Sequence, residues 1–151
     1  MGTATQPISQ EERVIEKLLA DVRFLVTARS FQSAAKKMGE LRRHLEAHLE
    51  TEGRLVPIFV DRTGDPGLVA LRLRREHEKI PRRLEAACNA ITQWDSSRAL
   101  YELDCLAAAL SAHRETEDEL LHPALDDLVP ADLDWESLRF QLFHATTRLD
   151  S

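Results

Sequence analysis

Ala47-His48-Leu49-Glu50-Thr51-Glu52 and Ala112-His113-Arg114-Glu115-Thr116-Glu117 are two copies of one phrase, 65 residues apart. In each copy a His precedes a Glu by four residues. On an α-helix that spacing puts both side chains on one face, about 6 Å apart along the axis. Working outward, the same offset carries Glu12 onto His77. Glu11-Glu12-x-x-Ile15 aligns with Glu76-His77-x-x-Ile80, and Leu19 with Leu84. Pro57 and Pro123 follow the two motifs with a slip of one residue. The chain therefore reads as two helical hairpins related by an approximate twofold. Each hairpin supplies one residue from its first helix and a His-x-x-x-Glu pair from its second.

The hydropathy pattern agrees. Four apolar stripes advance in steps of three and four: Ile8, Glu12, Ile15, Leu19, Val22, Val26; Met38, Leu41, Leu45, His48, Glu52, Leu55; Leu73, His77, Ile80, Leu84, Ala87, Ile91; and Leu103, Leu106, Leu110, His113, Glu117, Leu120. Gly64, Pro66 and Gly67 break one long pattern and Asp95-Ser96-Ser97 another. The predicted helices are 8–29, 32–59, 66–94 and 97–122. Asp65-Pro66 suits the start of the third, and Asp95 or Ser96 the cap of the fourth. No strand-like alternation competes. The predicted fold is all-α, an antiparallel up-down four-helix bundle over about 8–125. A tail at 126–151 carries a short fifth helix near 134–148, with Trp135, Leu138, Leu142 and Phe143 on its apolar side. The whole chain is expected to be one domain.

Composition narrows the partners. With 151 residues, 43% of them apolar and 30% charged, one globular domain with a real core is expected. A net charge of −6 argues against a nucleic-acid binder, which needs a basic face. No apolar run is long enough to span a membrane, and the polar first ten residues lack a secretory signal. The cysteines, Cys88 and Cys105, make no disulfide framework and are expected to be small buried apolar residues in a cytoplasmic protein.

Each stripe is interrupted at core-facing positions by His or Glu. Buried without partners, such groups cost several kcal/mol, roughly, and metal coordination is the common way to satisfy them. In this arrangement each His binds one metal terminally while Glu52 and Glu117 bridge two. Glu12 and His77 then complete the two ends. Mixed imidazole and carboxylate ligands suit iron or manganese, with zinc a further option.

The duplicated His-x-x-x-Glu motif, with His77 on the intervening helix and the downstream prolines, resembles the hemerythrin-like HHE cation-binding family over roughly 8–125. The resemblance implies two iron ions in a non-heme di-iron centre, and work with O2, peroxide, NO or iron level. It departs in two places. Glu12 stands where the family has its first-helix His. Leu73 stands where the oxygen carriers have an additional His, and His113-x-x-x-Glu117 is shorter than their final spacing. The site is left with more open coordination, which points away from a simple oxygen carrier. A di-iron oxidase or peroxidase, or a degenerate metal-stabilised interaction module, are the rival readings, with the apolar side of the tail as a partner or homodimer surface.

Several residues have plainer explanations. Ser9-x-x-Glu12 also fits a capping box, unless the first helix begins near Pro7 and turns Glu12 inward. Glu16 is the rival ligand one turn on. His44 suits a partly exposed position or a spare ligand. Glu50 and Glu115 belong to a solvated face. His122, His144 and Tyr101 lie away from the motif. Arg72, Arg74, Arg75, Arg82 and Arg83 form a solvated basic face that Glu76, Glu78 and Glu85 can pair with. Pro81, one turn after His77, removes a helical hydrogen bond and predicts a kink.

Overall fold

The structure is a computed structural model that describes the backbone of residues 6–63 and 68–121, with side chains over 10–54 and 70–119. Within these bounds the chain forms α1 (Gln6–Thr27), α2 (Phe31–Thr63), α3 (Leu68–Thr92) and α4 (Ser96–Thr116), and α4 runs into a π-helical turn, Glu117–Leu121. Each helix packs on its sequence neighbours, and α4 closes the ring against α1. The two hairpins, α1 with α2 and α3 with α4, share the most extensive interfaces. No strand occurs among the described residues. The predicted four-helix bundle is the observed fold. The tail and its expected fifth helix, the Asp65-Pro66 cap, His122 and His144 lie outside the described residues.

The helix ends differ from expectation for a reason visible at the hairpin turns. Among the described residues, Arg29 and Trp94 are the two non-glycine residues of positive φ, at 59° and 56°. In the first turn Arg29 N–H bonds Val26 C=O at 2.9 Å and Ser30 N–H bonds Leu25 C=O at 2.9 Å. In the second, Trp94 N–H bonds Ile91 C=O at 3.0 Å and Asp95 N–H bonds Ala90 C=O at 3.1 Å. This is the paired 5→2 and 6→1 pattern that ends a helix on a left-handed residue. It stops α1 and α3 at Thr27 and Thr92, two residues earlier than predicted. Ser30 and Asp95 then begin the next helices, accepting from Ala34 and Ala99 at 2.9 and 2.8 Å. Asp95 caps α4 through its side chain, which accepts from Arg98 N–H at 3.1 Å. All these pairs stand at the same offset of 65, so the twofold seen in the ligand motif extends to the turn geometry. Beside the turns, Trp94 stacks on Phe31 with ring centroids 5.4 Å apart.

Within the described residues the stripes face inward as predicted. Ile15, Val22, Val26, Met38, Leu41, Leu45, Ile80, Leu84, Ala87, Ile91, Leu103 and Leu106 are buried. Leu19 and Leu110 are half-buried, and Leu18 is buried beside Leu19. α3 continues through the exposed Pro81 without ending there. Cys88 and Cys105 are unpaired but half-buried rather than buried. They sit at the margins of the stripes, and Arg42 Nη2 lies 3.1 Å from Cys88 Sγ. The apolar core fills the half of the bundle nearest the two hairpin turns. In the other half the stripes carry the polar residues.

Candidate metal centre

Helix α1 begins at Gln6, so Glu12 lies in its second turn and faces the core rather than capping the terminus. Glu12, His48, Glu52, His113 and Glu117 are all buried, with Glu52 and Glu117 showing no exposed surface. His77 is half-buried beside them. The rival ligand Glu16 is on the exposed side of α1, ion-paired to Arg114. The six residues singled out in the sequence therefore converge from all four helices on one place.

They form two groups that share one carboxylate. Glu52, His77 and His113 have donor atoms within 4.8 Å of one another, and so do Glu12, His48, Glu52 and Glu117. The two oxygens of Glu52 face opposite ways. Oε2 lies 3.1 Å from His77 Nε2 and 2.7 Å from His113 Nε2, while Oε1 contacts His48 Nε2. Glu117 Oε1 contacts His113 Nε2 and lies 3.8 Å from His48 Nε2. Glu12 Oε1 is 3.9 Å from the same His48 atom. One group is thus rich in nitrogen and the other in oxygen. The carboxylate of Glu12 contributes to that difference.

The electrostatics show how much charge has been concentrated here. Burial pushes the Glu12 carboxyl up to about 9, reinforced by its closeness to Glu117 and Glu52 and opposed by His48. Burial disfavours the His113 imidazolium, but contacts with Glu117 and Glu52 overcome this and raise it to about 11. The same carboxylates hold His48 well above its ordinary value against burial. Glu52 is fully buried, which would raise it, yet His48 and His113 bring it below the usual carboxylate range. Both oxygens of Glu12 are buried without an accepted hydrogen bond. Protons alone leave this cluster short of donors, and a cation is the partner that such oxygens lack. The donor set fits the metals expected from the sequence.

Two supporting contacts have no signal in the helical stripes. Glu76 Oε1 accepts from His113 Nδ1 at 2.7 Å, and Glu76 Oε2 accepts from Thr116 Oγ1 at 2.8 Å. The carboxylate thereby directs His113 Nε2 into the cluster, as carboxylates behind metal-binding imidazoles do. Its counterpart across the twofold, Glu11, bonds His44 Nδ1 instead, at 2.6 Å. His44 is in neither donor group. The pairing of Glu11 with Glu76 was visible in the internal repeat. Its role was not, because Glu76 read as a surface partner for Arg72, from which it lies 3.7 Å. Of the other residues weighed, Glu50 pairs with Arg54 on the surface, Glu115 and Tyr101 are exposed, and Glu85 pairs with Arg42 of α2 rather than with the basic face of α3.

Among the described residues no helix is long and apolar enough to cross a membrane. The comparison with curated proteins gives no match, and neither does the comparison with solved structures. The hemerythrin HHE cation-binding domain matches residues 3–125, which include all four helices and every residue of the cluster. The match covers most of the chain and agrees with a buried His and Glu cluster at the centre of a four-helix bundle. The chain belongs to the hemerythrin HHE cation-binding domain family.

Proposed function

We propose that this protein is a non-heme di-iron protein that binds or senses O2, peroxide, NO or iron. One observation carries the reading: two donor groups in the bundle core share Glu52, whose oxygens face one group each. That is the arrangement two bridged metals require. His77 and His113 would hold one ion, and Glu12 and His48 the other. Glu52 and Glu117 would join them. Bound iron would supply redox chemistry and open coordination positions for a small ligand.

The chain's own residues account for the rest. Glu76 fixes the orientation of His113 and leaves its Nε2 for the metal. Leu73, fully buried one turn before His77, puts a hydrocarbon wall where a further imidazole would stand in an oxygen carrier. That favours exchangeable positions over a saturated site. The unpaired cysteines suit a cytoplasmic setting.

Elemental analysis of protein purified without chelators tests the proposal. Two irons per chain are expected, with loss of both in a His48→Ala, His113→Ala double variant. Metal-free protein, or iron retained by the double variant, rules it out. Peroxide consumption by the iron-loaded protein separates turnover from reversible binding.

A further inference from the structure

The seam between α1 and α4, the most loosely joined of the neighbouring helix pairs, holds a cavity of about 380 Å³ that is open on one side. Glu12, His48, His113 and Glu117 form its floor. Above them the walls are mostly hydrocarbon, with Ile15 and Leu19 from α1, Leu45 from α2, and Leu103, Ala107 and Leu110 from α4, while Glu16 and Ser111 add polar edges. At the rim stand Arg23 and Arg114, and both are neutralised. Arg23 pairs with Asp104, and Arg114 pairs with Glu16 while lying 3.3 Å from Glu12.

The volume is out of proportion to a diatomic ligand. A water molecule takes about 30 Å³ in the liquid, and an apolar cavity of about 150 Å³ suffices for benzene. Sites for organic ligands begin at about 300 Å³. The charge pattern narrows the class further. An anionic head would face a floor of carboxylates and rim cations that are already paired. A cationic one would have to displace Arg23 and Arg114 from the carboxylates they already hold. What the walls favour is a neutral molecule, apolar along its length.

We infer that the α1–α4 cavity binds a neutral apolar organic molecule larger than benzene, such as a medium-chain alcohol or a fused-ring phenol, with its one polar group toward Glu12 and His48. This deepens the metal-centre reading and rests on it only for what the polar end meets. The cavity itself needs no metal to exist.

1-Naphthol, titrated by fluorescence into metal-free and iron-loaded protein, is the probe, with iron content measured on each sample. Saturable one-to-one binding is expected, displaced by 1-octanol and at least tenfold less by octanoate. Ala107→Phe, which fills the cavity from α4, should weaken binding at least tenfold. Ala108→Phe, on the exposed side of the same helix, should leave it within twofold. Leu19→Trp, filling from α1, gives the same test if Ala107→Phe does not fold. Absence of saturable binding, equal competition by octanoate, or unchanged affinity in both filled variants overturns the inference. Failure to take up iron bears on the metal reading alone, since binding to the metal-free protein still decides the cavity.

Discussion

A carboxylate with no exposed atom, as at Glu52, keeps its charge in a protein interior only with strong partners. Glu52 has imidazoles on both sides, whereas Glu12 has a distant His48 and a peripheral Arg114. Glu12 is therefore the least satisfied member without a metal. Replacing it with an apolar residue of similar size should release the metal-free protein from that burden. Glu12→Leu is expected to raise the melting temperature of metal-free protein by a few degrees while lowering the iron content from two to one. An unchanged iron content would remove Glu12 from the ligand set. Glu76 predicts the opposite pattern. It touches no metal position but holds His113, so Glu76→Ala should weaken metal binding by about 10- to 100-fold with the helical fold retained. The difference between these residues also explains what was legible in the sequence. Glu12, His48, Glu52, His77, His113 and Glu117 lie in phase with apolar stripes, and a polar residue in phase with a core is conspicuous. Glu76 lies one residue from the stripe position of His77. Whether it reaches the neighbouring helix depends on how α3 and α4 are rotated against each other, which no single-helix pattern contains.

The elements carry the twofold further than the ligands do, into the two left-handed turns at Arg29 and Trp94. Neither is glycine, although a non-glycine residue in this conformation costs about 1 kcal/mol or more. The two positions are not equivalent in what they return. Trp94 stacks on Phe31 and so closes the turn end of the bundle. Arg29 is exposed. Arg29→Gly should therefore stabilise the protein by about 0.5–1 kcal/mol. Trp94→Gly should not, because the relief of backbone strain is offset by the lost aromatic stack. Denaturant unfolding of the two variants decides this, and equal stabilisation of both would mean that the stack contributes little. The positive φ values were not readable from the residue types, since Arg and Trp carry none of glycine's usual signal for a left-handed end. The helical phase was readable because it repeats over many turns, while an end depends on one or two residues. At the other end of the bundle, α4 passes into its π-helical turn at Glu117 itself. A π turn widens the helix and rotates the residues beyond it to a new phase, a departure often found beside functional side chains. It also explains why the predicted α-helix to residue 122 stops short at Thr116.

For the molecule as a whole, the cluster couples protons, metal and stability. Glu12, His48 and His113 all bind protons more tightly in the folded state than at their ordinary values of 4.5 and 6.5. A group with a raised folded value stabilises the fold fully below its unfolded value, and that contribution is lost as pH rises through the folded one. The contribution of Glu12 thus declines from above pH 4.5 until about 9, and that of His113 from above 6.5 until about 11. Glu52 acts in the other direction, but only in acid, because its folded value lies below 4.5. The metal-free protein should consequently be most stable at about pH 4.5–5, with a melting temperature several degrees lower at about pH 9. Metal reverses the sense of this dependence. It requires neutral imidazoles and ionised carboxylates, so it displaces the protons the empty cluster holds, and binding tightens as they become easier to remove. The gap in melting temperature between iron-loaded and metal-free protein should therefore widen from about pH 6 to about pH 8, with proton release on loading measurable in weakly buffered solution. A constant gap with no proton release would mean that the metal enters elsewhere, and that protons rather than cations are the standing partners of this buried charge.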